Sequence, residues 1–474
     1  MTSSMADPLF DLAIVGGGIM GASAAWRASA AGLRVVLLES SPTPTHNRGS
    51  SHGFSRIIRK TYSDAVYARL MCAAWPLWNE ASLAAGCGPL RAVGSSPLSL
   101  PLVNITGGLS LVEEGSRAHA GLLSAAAASS VPIRAVSATA ARARWGLALP
   151  PGVVALEELG GSTGVAVGAG RCVAALQALA VGLGCDLRCG VEVDGVVAVE
   201  EGGLLARVAL RGGGGVRARR VALCPGAWAG PLVSRVCRWE LPLQPLLVST
   251  GYYRARRAPG VEPLPVVIDW GATQVYSCPV TPGSEEAAAF GEDAVKFAVH
   301  AGVPTTADGR PFEAHAPTTV APVGAWLQGH LPHADAEPLP GSVVTCLYTA
   351  TPDEDFVLDT VPLWTGDGRS VHGLGFLCAG FSGHGFKFGP VVGEVVRMWA
   401  LEAMVEEPVV GWDAGAASSA AMRRVEELLA DAVAAGGGGE SNGAPLLEKF
   451  RASRFGRPSG GGSCGGGGGA PPPA

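Results

Sequence analysis

The stretch from Asp11 to Glu39, DLAIVGGGIMGASAAWRASAAGLRVVLLE, constrains the fold more than any other part of the chain. A short apolar strand, 12–15, runs into a GxGxxG motif whose glycines are Gly16, Gly18 and Gly21. A helix of small residues follows, and a second apolar strand ends at the acidic residue Glu39. The glycines permit a tight turn, close approach of the backbone to a pyrophosphate, and close packing of helix on strand. This order predicts a Rossmann-type βαβ unit that binds a dinucleotide.

The same unit restricts the ligand without naming it. The N-terminus of the helix offers free N–H groups and the positive end of the helix dipole to the phosphates. Glu39 lies where a carboxylate can accept a hydrogen bond from a ribose hydroxyl. An acid at this position suits NAD and FAD alike and argues mainly against a 2′-phosphate. The motif therefore leaves the choice of dinucleotide open.

Composition restricts the classes of partner. The 474 residues leave room for two or three domains, and the net charge of −5 without a basic face predicts no nucleic-acid partner. The eleven cysteines form no CxxC pair and no zinc spacing, which predicts a reducing compartment and no metal. The Ala-rich run 122–136 contains Pro132 and Arg134, so no membrane span is expected. Only about ten residues precede the first strand, too few for a signal peptide, so we expect a soluble intracellular protein.

The remaining pattern divides between two interleaved domains. Residues 1–90, 150–232 and 333–405 fit the dinucleotide-binding domain, whereas 91–149 and 233–332 break its alternation of strand and helix. The predicted fold is α/β, a Rossmann-type domain with an interleaved α+β domain built on an antiparallel sheet. Residues 406–474 are low in complexity and are predicted to be a largely disordered tail, in which 414–435 is a candidate helix.

Two polar segments are candidates for the chemistry. The loop after the second strand ends in a basic cluster that includes His52, Arg56 and Arg59. Such loops commonly pass near the cofactor, although a solvated basic loop is the alternative interpretation. The stretch 379–388, AGFSGHGFKF, alternates glycines with His384 and precedes Lys387, so its backbone can pass close to a flat ligand. We predict that this second segment forms a site rather than a surface turn.

Three segments together resemble a known family: GSSHGFSRIIRKTY, CLYTATPDEDF and AGFSGHGFKFGPVVGEV. With the N-terminal unit they are similar, in the same order, to the sarcosine oxidase and L-pipecolate oxidase group of flavin amine oxidases. The resemblance is strongest to the eukaryotic peroxisomal members and extends from about Asp11 to Leu401. It implies that the dinucleotide is FAD, so that the two predicted domains are an FAD-binding domain and a substrate domain. The chain departs from the family at PGSEEAAAFGED, between Pro279 and Ala294.

The resemblance implies how FAD is held. Cys346 falls where the family attaches the flavin through a thioether, so FAD is expected to be bound covalently. His52 and Arg56 match residues beside the flavin ring. The other residues implied to contact the cofactor are Gly16, Gly18, Gly21, Glu39, Ser50, Val193, Gly383, Gly385 and Lys387.

The resemblance also implies a substrate pocket. Arg59 and Lys387 match the pair that holds the substrate carboxylate, where Arg supplies a fork of donors and Lys a point charge. Tyr348 and His384 match polar groups around the substrate. Lys296 matches the lysine that activates oxygen by stabilising developing negative charge. The residues expected to be catalytic are Lys296, His384, Arg56 and Tyr348.

The implied reaction oxidises a secondary α-amino acid, L-pipecolate or sarcosine, to the imine and reduces O2 to hydrogen peroxide. The amino acid and O2 are then the only expected partners, and a monomer is expected. The family implies a peroxisomal enzyme, but the chain ends Pro473-Ala474 without a peroxisomal tripeptide, so a cytoplasmic location stays open. Two alternatives stay open as well: a flavin amino-acid dehydrogenase with another acceptor, and a non-catalytic dinucleotide-binding protein.

Overall fold

The computed structural model describes residues 8–93, 99–307, 317–405, 408–410, 414–435 and 447–456. The strands are β1 (Leu9–Val15), β2 (Val35–Glu39), β3 (Arg56–Arg59), β4 (Val103–Ile105), β5 (Gly108–Glu113), β6 (Ile133–Val136), β7 (Val153–Glu158), β8 (Thr163–Ala166), β9 (Asp186–Cys189), β10 (Val193–Glu200), β11 (Leu204–Leu210), β12 (Gly215–Leu223), β13 (Gln244–Arg254), β14 (Val266–Asp269), β15 (Val275–Pro279), β16 (Ala294–Val299), β17 (Val303–Pro304), β18 (Val344–Ala350), β19 (Val357–Trp364), β20 (Ser370–Ala379) and β21 (Val409–Val410). The helices are α1 (Ile19–Ala30), α2 (Ala65–Ala84), α3 (Arg117–Ala128), α4 (Ala138–Trp145), α5 (Ala169–Gly182), α6 (Ala229–Cys237), α7 (Glu285–Phe290), α8 (Pro317–His330), α9 (Gly389–Val405) and α10 (Ala414–Ala435). Short 3-10 helices cover Gly226–Trp228, Phe386–Phe388, Glu448–Phe450 and Ala452–Phe455.

The first sheet has the order β10-β11-β12-β1-β2-β9, and β20 joins β12. Strands β1, β2, β9, β12 and β20 pair in parallel, as a Rossmann-type domain requires. Alternate residues of β1 enter the cores on the two faces of the sheet, Leu12 and Ile14 on one side, Ala13 and Val15 on the other. Burial on both faces explains why β1 and β2 read as continuous apolar runs.

Small residues bring α1 and α9 close together over this sheet. A Cβ atom added at Gly393 of α9 would lie 2.5 Å from the carbonyl carbon of Ser23 in α1. The Ala-rich composition of α1 therefore has a packing cause, because larger side chains would push the two helices apart.

The second sheet has the order β17-β13-β16-β15-β14-β5-β7-β6, and β18 pairs with β13. Its pairs are antiparallel, with the exception of β5 and β14. The predicted combination of a Rossmann-type domain with an antiparallel sheet is confirmed. A third sheet, β3-β8-β4, is small.

The chain alternates between the sheets more often than the predicted domain ranges allow. Strand β7 lies within 150–232 and β18 within 333–405, both assigned to the FAD-binding domain, yet both pair in the second sheet. A strand's sheet depends on distant hydrogen-bonding partners, which a local apolar pattern does not contain. The division of the chain into an FAD-binding domain and a substrate domain with these ranges stays a prediction.

In the predicted tail, the candidate helix at 414–435 is confirmed, whereas the expectation of disorder is wrong for residues 447–456. Residues 414–435 form α10, whose Met422, Val425, Leu429 and Val433 are at most 1% exposed and join the core around α1 and α9. Residues 447–456 are also placed, with Phe450 fully buried. The buried residues of α10 recur every three or four positions, which places them on one face of the helix. The remaining residues of the predicted tail, apart from 408–410, lie outside the described residues.

Within the described ranges, no helix combines the length and the apolar character needed to cross a bilayer.

Candidate active site

The glycine turn between β1 and α1 is shaped by backbone contacts. Gly16 has φ of +103°, and a Cβ there would lie 2.3 Å from the carbonyl oxygen of Cys224. A Cβ on Gly21 would lie 1.8 Å from the carbonyl oxygen of Gly16, and one on Gly18 would lie 3.1 Å from Ser51 Oγ. Only glycine fits the first two positions, so the backbone can turn tightly into α1, where the Ile19 amide donates to Ser51 Oγ at 3.1 Å.

Glu39 lies against the glycine turn and accepts hydrogen bonds from two backbone amides. Its Oε2 accepts from the Gly17 amide at 2.8 Å and its Oε1 from the Ser41 amide at 2.7 Å. The side chain is 4% exposed. Val193, predicted to contact the cofactor, starts β10 and is buried in the core beneath the sheet. The amide of Val191, two residues earlier, donates to the Glu39 carbonyl at 2.9 Å, which brings this segment beside the end of β2.

The polar loop after β2 is braced by Arg56. Its guanidinium donates to the carbonyl oxygens of Ser50 at 3.0 Å, His52 at 2.8 Å and Ser55 at 2.9 Å. The Ser50 hydroxyl donates to the Leu347 carbonyl, which ties the loop to β18. Burial lowers the pKa of His52 to about 4, Arg56 and His46 add to this shift, and its buried Nε2 has no partner. His52 and Arg56 are therefore held within the protein by burial and hydrogen bonds, unlike the side chains of a solvated loop.

One face of the second sheet carries the reactive side chains. Tyr252 and Cys278 both stand opposite Lys296 in the register of β13, β16 and β15, and Cys346 of β18 stands opposite Val248 of β13. Residues two apart on a strand point to the same face. Three strands that are distant in sequence thus bring Lys296 and two thiols to one surface.

Lys296 and Arg56 place positive charge beside these thiols. Lys296 is 4% exposed, and its Nζ donates to the Ser55 carbonyl. Burial lowers the pKa of Lys296. Burial likewise raises the pKa of the Cys346 thiol, while Arg56 and Lys296 act in the opposite direction. The structure therefore places Lys296, Arg56 and Cys346 close enough for their charges to interact.

Arg59 and Lys387 form a second positive centre. Arg59 is 8% exposed, its Nη1 has no hydrogen-bond partner, and its guanidinium lies 4.6 Å from the ring centre of Tyr62. Lys387 Nζ donates to Tyr62 OH at 2.9 Å and to the His384 carbonyl at 2.7 Å. Burial lowers the pKa of Lys387 strongly, and Arg59 adds to the effect. Among the described residues neither cation lies within 4.0 Å of a carboxylate oxygen, although the buried carboxyl of Glu158 is close enough for Arg59 to lower its pKa against the effect of burial.

The loop that carries His384 is shaped by glycines. A Cβ on Gly383 would lie 2.2 Å from the Tyr348 ring, and one on Gly385 would lie 2.5 Å from Phe381. His384 Nδ1 lies 3.4 Å from Tyr62 OH, and Nε2 lies 3.1 Å from the Glu354 carbonyl oxygen. Burial lowers the pKa of His384 well below its usual range, so this imidazole is neutral near pH 7. Tyr348 OH lies 3.4 Å from Tyr276 OH.

The sequence predictions did not include Tyr276, Trp270 or His300, which lie at this site. Tyr276 contacts Tyr348, the ring of Trp270 lies 5.3 Å from the Arg59 guanidinium, and His300 lies 5.6 Å from the Tyr348 ring. Burial lowers the pKa of His300 to about 4, and Lys387 and Arg59 add to this shift. The alternation of strand residues supplies a signal for one of them, since His300 follows Lys296 by four residues and continues its face.

The arrangement fits FAD. The glycine turn and Glu39 are arranged to hold a pyrophosphate and a ribose, and His52 Nε2 and Arg59 Nη1 are buried without a hydrogen-bond partner in the protein. Buried polar atoms normally have partners, so orphaned atoms at a polar site point to a ligand. In the described part of the chain, no group of three or more His, Cys, Asp or Glu side chains is arranged to hold a metal ion.

Comparisons with known proteins agree with this geometry. The profile of the family described as FAD dependent oxidoreductase matches residues 11–399. Human peroxisomal sarcosine oxidase is 31% identical over 402 residues, 82% of this chain and 91% of that protein. Monomeric sarcosine oxidase of Streptomyces avermitilis is 31% identical over 419 residues, 85% of this chain and 96% of that protein.

Solved structures share the fold at lower identity. NikD, an unusual amino acid oxidase essential for nikkomycin biosynthesis, has a TM-score of 0.66 at 22% identity and covers 83% of this chain and 94% of its own. L-proline dehydrogenase from P. horikoshii has a TM-score of 0.64 at 19% identity, with coverage of 83% and 93%. At these identities the likeness concerns the fold alone.

Proposed function

The chain belongs to the FAD-dependent oxidoreductase family as a flavin amine oxidase similar to the sarcosine oxidases, and on that premise we propose that it oxidises a secondary α-amino acid with O2 as acceptor. Sarcosine and L-pipecolate are the proposed substrates, and hydrogen peroxide is the second product. FAD, when bound, accepts a hydride equivalent from the carbon next to the substrate nitrogen and later passes the electrons to oxygen. The protein supplies binding, orientation and charge.

The observation that carries this proposal is a buried pair of cations of which Arg59 keeps a free donor, even though the buried carboxyl of Glu158 lies near enough to act on its charge. Arg59 Nη1 has no partner in the protein, and Lys387 lies close enough to Arg59 for their charges to interact. A buried charge without a partner is costly, and a substrate carboxylate would supply the missing acceptor. We therefore assign Arg59 and Lys387 to the carboxylate of the amino acid.

The same cations favour the reactive form of the amine. Only a neutral amine can give up a hydride from the adjacent carbon, because its lone pair must stabilise the developing positive charge. Arg59 and Lys387 disfavour an ammonium group nearby, and His300 and His384 are neutral near pH 7. We expect activity to rise with pH until the bound amine has lost its proton.

Lys296 and Arg56 distinguish an oxidase from a dehydrogenase in this proposal. Their positive charges lie beside the proposed attachment point, Cys346, where negative charge develops on oxygen as it is reduced. Because the fold is shared with a dehydrogenase, the fold does not decide whether O2 or another molecule accepts the electrons. The electron acceptor must therefore be measured.

The test compares sarcosine and L-pipecolate in air and without oxygen. Purified holoprotein should bleach its flavin anaerobically with either substrate and form peroxide in air. Lys296→Met should slow reoxidation about a hundredfold and leave anaerobic reduction nearly unchanged. Lys60→Met, whose ammonium lies over Trp75, is the matched control. Bleaching without peroxide would identify a dehydrogenase, and no bleaching with any amino acid would identify a non-catalytic protein.

Covalent attachment through Cys346 is part of the proposal. Denatured wild-type protein should retain its yellow colour after acid precipitation, because a thioether survives unfolding. Cys346→Ser should release the flavin, whereas Cys278→Ser, which removes another buried thiol of the same sheet face, should not. Release of all colour from the wild-type protein would contradict the attachment.

We also propose a peroxisomal monomer, since relatives carry the names peroxisomal sarcosine oxidase and monomeric sarcosine oxidase. Microscopy of the tagged full-length chain and sedimentation of the purified protein test the two statements separately.

A further inference from the structure

Helix α7 lies inside the acidic segment where the chain departs from the family pattern, and it brings one carboxyl group into the site. Glu286 is 3% exposed, whereas its neighbour Glu285 is exposed. Glu286 Oε1 accepts from Ser55 Oγ at 2.7 Å and from Tyr252 OH at 2.6 Å. Since one oxygen receives two hydroxyl donors, the group acts as an acceptor, which is the role of an ionised carboxylate.

Ser55 connects this carboxylate to Lys296. Its hydroxyl donates to Glu286, and its carbonyl oxygen accepts from Lys296 Nζ and from Arg56. Tyr252, at the other end of the chain of contacts, stands opposite Lys296 in the pairing of β13 with β16. Ser55, Tyr252 and Lys296 are 0%, 1% and 4% exposed, so the connection is shielded from water.

Glu286 also differs in charge from the other groups around Lys296. Besides Glu286 on α7, the groups that act on Lys296 are Cys278 on β15, Arg56 on β3 and Cys346 on β18. Burial and Arg56 lower the pKa of Lys296, and Glu286 raises it together with the two thiols. Glu286 is the carboxyl group in this set, and a carboxylate is the natural counter-ion of a buried ammonium.

We propose that Glu286 is a positioning residue for Lys296, the lysine proposed to act on oxygen. Glu286 holds Ser55, and thereby Lys296, and supplies the negative charge that keeps Lys296 protonated. This inference rests on the proposed function, because it assigns a partner to the lysine proposed to act on oxygen. Glu286 neither gives up nor takes a proton in this role.

The first test measures Lys296 directly. The chain has four lysines, Lys60, Lys296, Lys387 and Lys449, so full-length holoprotein labelled with ¹³C at lysine Cε gives a spectrum of four signals. Lys296→Met assigns the signal of interest. Glu286→Gln should lower the pKa of Lys296 by roughly 1 unit or more, the usual effect of removing a nearby opposite charge. Glu285→Gln, the same change on the exposed neighbour, should leave it in place. An unchanged Lys296 signal in Glu286→Gln would overturn the inference.

The second test follows oxygen. The flavin is reduced photochemically without any amine, mixed with oxygen, and its reoxidation is followed across pH. The rate should be highest below the pKa of Lys296 and fall above it. In Glu286→Gln the fall should occur at lower pH, and the rate at the wild-type midpoint should be about fivefold lower for a pKa shift of about 1 unit. Ser55→Ala, which keeps the carbonyl that accepts from Lys296, should show a smaller change in the same direction.

The outcomes separate the inference from the proposed function. If reduced wild-type flavin reacts slowly with oxygen and Lys296→Met does not alter the rate, the oxidase proposal fails, while the NMR titration still decides the Glu286–Lys296 pair. If the wild-type reaction is fast and Glu286→Gln matches it at every pH, the inference is wrong and the function stands. Equal slowing of anaerobic reduction and reoxidation, with a lower Tm, would show a purely structural role and would also overturn it.

Discussion

The glycine turn of residues 16–21 and the carboxylate pocket around Arg59 are prepared for ligands by different means. In the turn, the contacts are made by backbone, and the one buried acid, Glu39, already accepts from two amides. In the pocket, the contacts are made by long side chains, and Arg59 Nη1 has no partner. The turn is complete in the protein alone, whereas the pocket is complete only when an anion is present.

This difference separates stability from function. Satisfied backbone groups cost the fold nothing, so the turn can serve binding and folding together. A buried donor that lacks a hydrogen-bond partner destabilises the fold by roughly 1–3 kcal/mol, and by more when the group is charged. The pocket therefore keeps unfavourable groups because its ligand needs them, which is the usual trade between stability and activity.

The largest expected effect tests the turn. Gly21→Ala would place a Cβ 1.8 Å from the Gly16 carbonyl oxygen, and backbone cannot move aside as a side chain can. The gain of about 1 kcal/mol in helix propensity is too small to offset this clash. We expect purified protein with little or no flavin, measured by visible absorbance per chain. Gly182→Ala, at the end of α5 with nothing within 4 Å, should keep its flavin. Full flavin content in Gly21→Ala would show that the turn can relax.

The next effect tests the pocket. Arg59→Met should raise KM for sarcosine or L-pipecolate about a hundredfold, since a charge-paired hydrogen bond to the carboxylate is lost. Its Tm should change little, because losing a buried donor without a hydrogen-bond partner offsets the loss of the charge that Arg59 places near the buried Glu158. Arg211→Met, at a site with a 60% exposed side chain, should leave both values unchanged. A lower Tm in Arg59→Met with normal KM would reverse the roles assigned to the two regions.

The smallest effect tests how the pocket responds to pH. The pKa of His300 is lowered from 6.5 to about 4 by burial, Lys387 and Arg59, so in this range the unfolded chain binds a proton that the folded chain does not. The free energy of unfolding should therefore fall as pH drops from about 6.5 to about 4, and His300 should add nothing further below that.

Denaturant unfolding at several pH values measures this slope. His300→Asn should remove a part of it on the order of 1 kcal/mol. His333→Asn, at an exposed position, should keep the wild-type slope. Equal slopes in all three proteins would show that His300 is not sealed from water.

The arrangement of the turn could be predicted from the sequence better than that of the pocket, for a physical reason. Gly16, Gly21 and Glu39 lie within one βαβ unit, so local spacing is enough to predict their arrangement. Arg59, Lys296 and Lys387 come from three distant segments, and their assignment depended on resemblance to a family. Trp270, Tyr276 and His300 lie outside the three segments that carry the resemblance, and they were not predicted.

The sequence by itself determined the βαβ unit and the family to which the chain belongs. Only the tertiary structure decided that β7 and β18 join the second sheet, that α10 completes the core, and that Glu286 reaches Lys296 through Ser55. Local patterns encode turns and faces because those depend on neighbours in the chain. Pairings between distant strands and hydrogen bonds across 241 residues depend on the whole folded chain, which no local pattern contains.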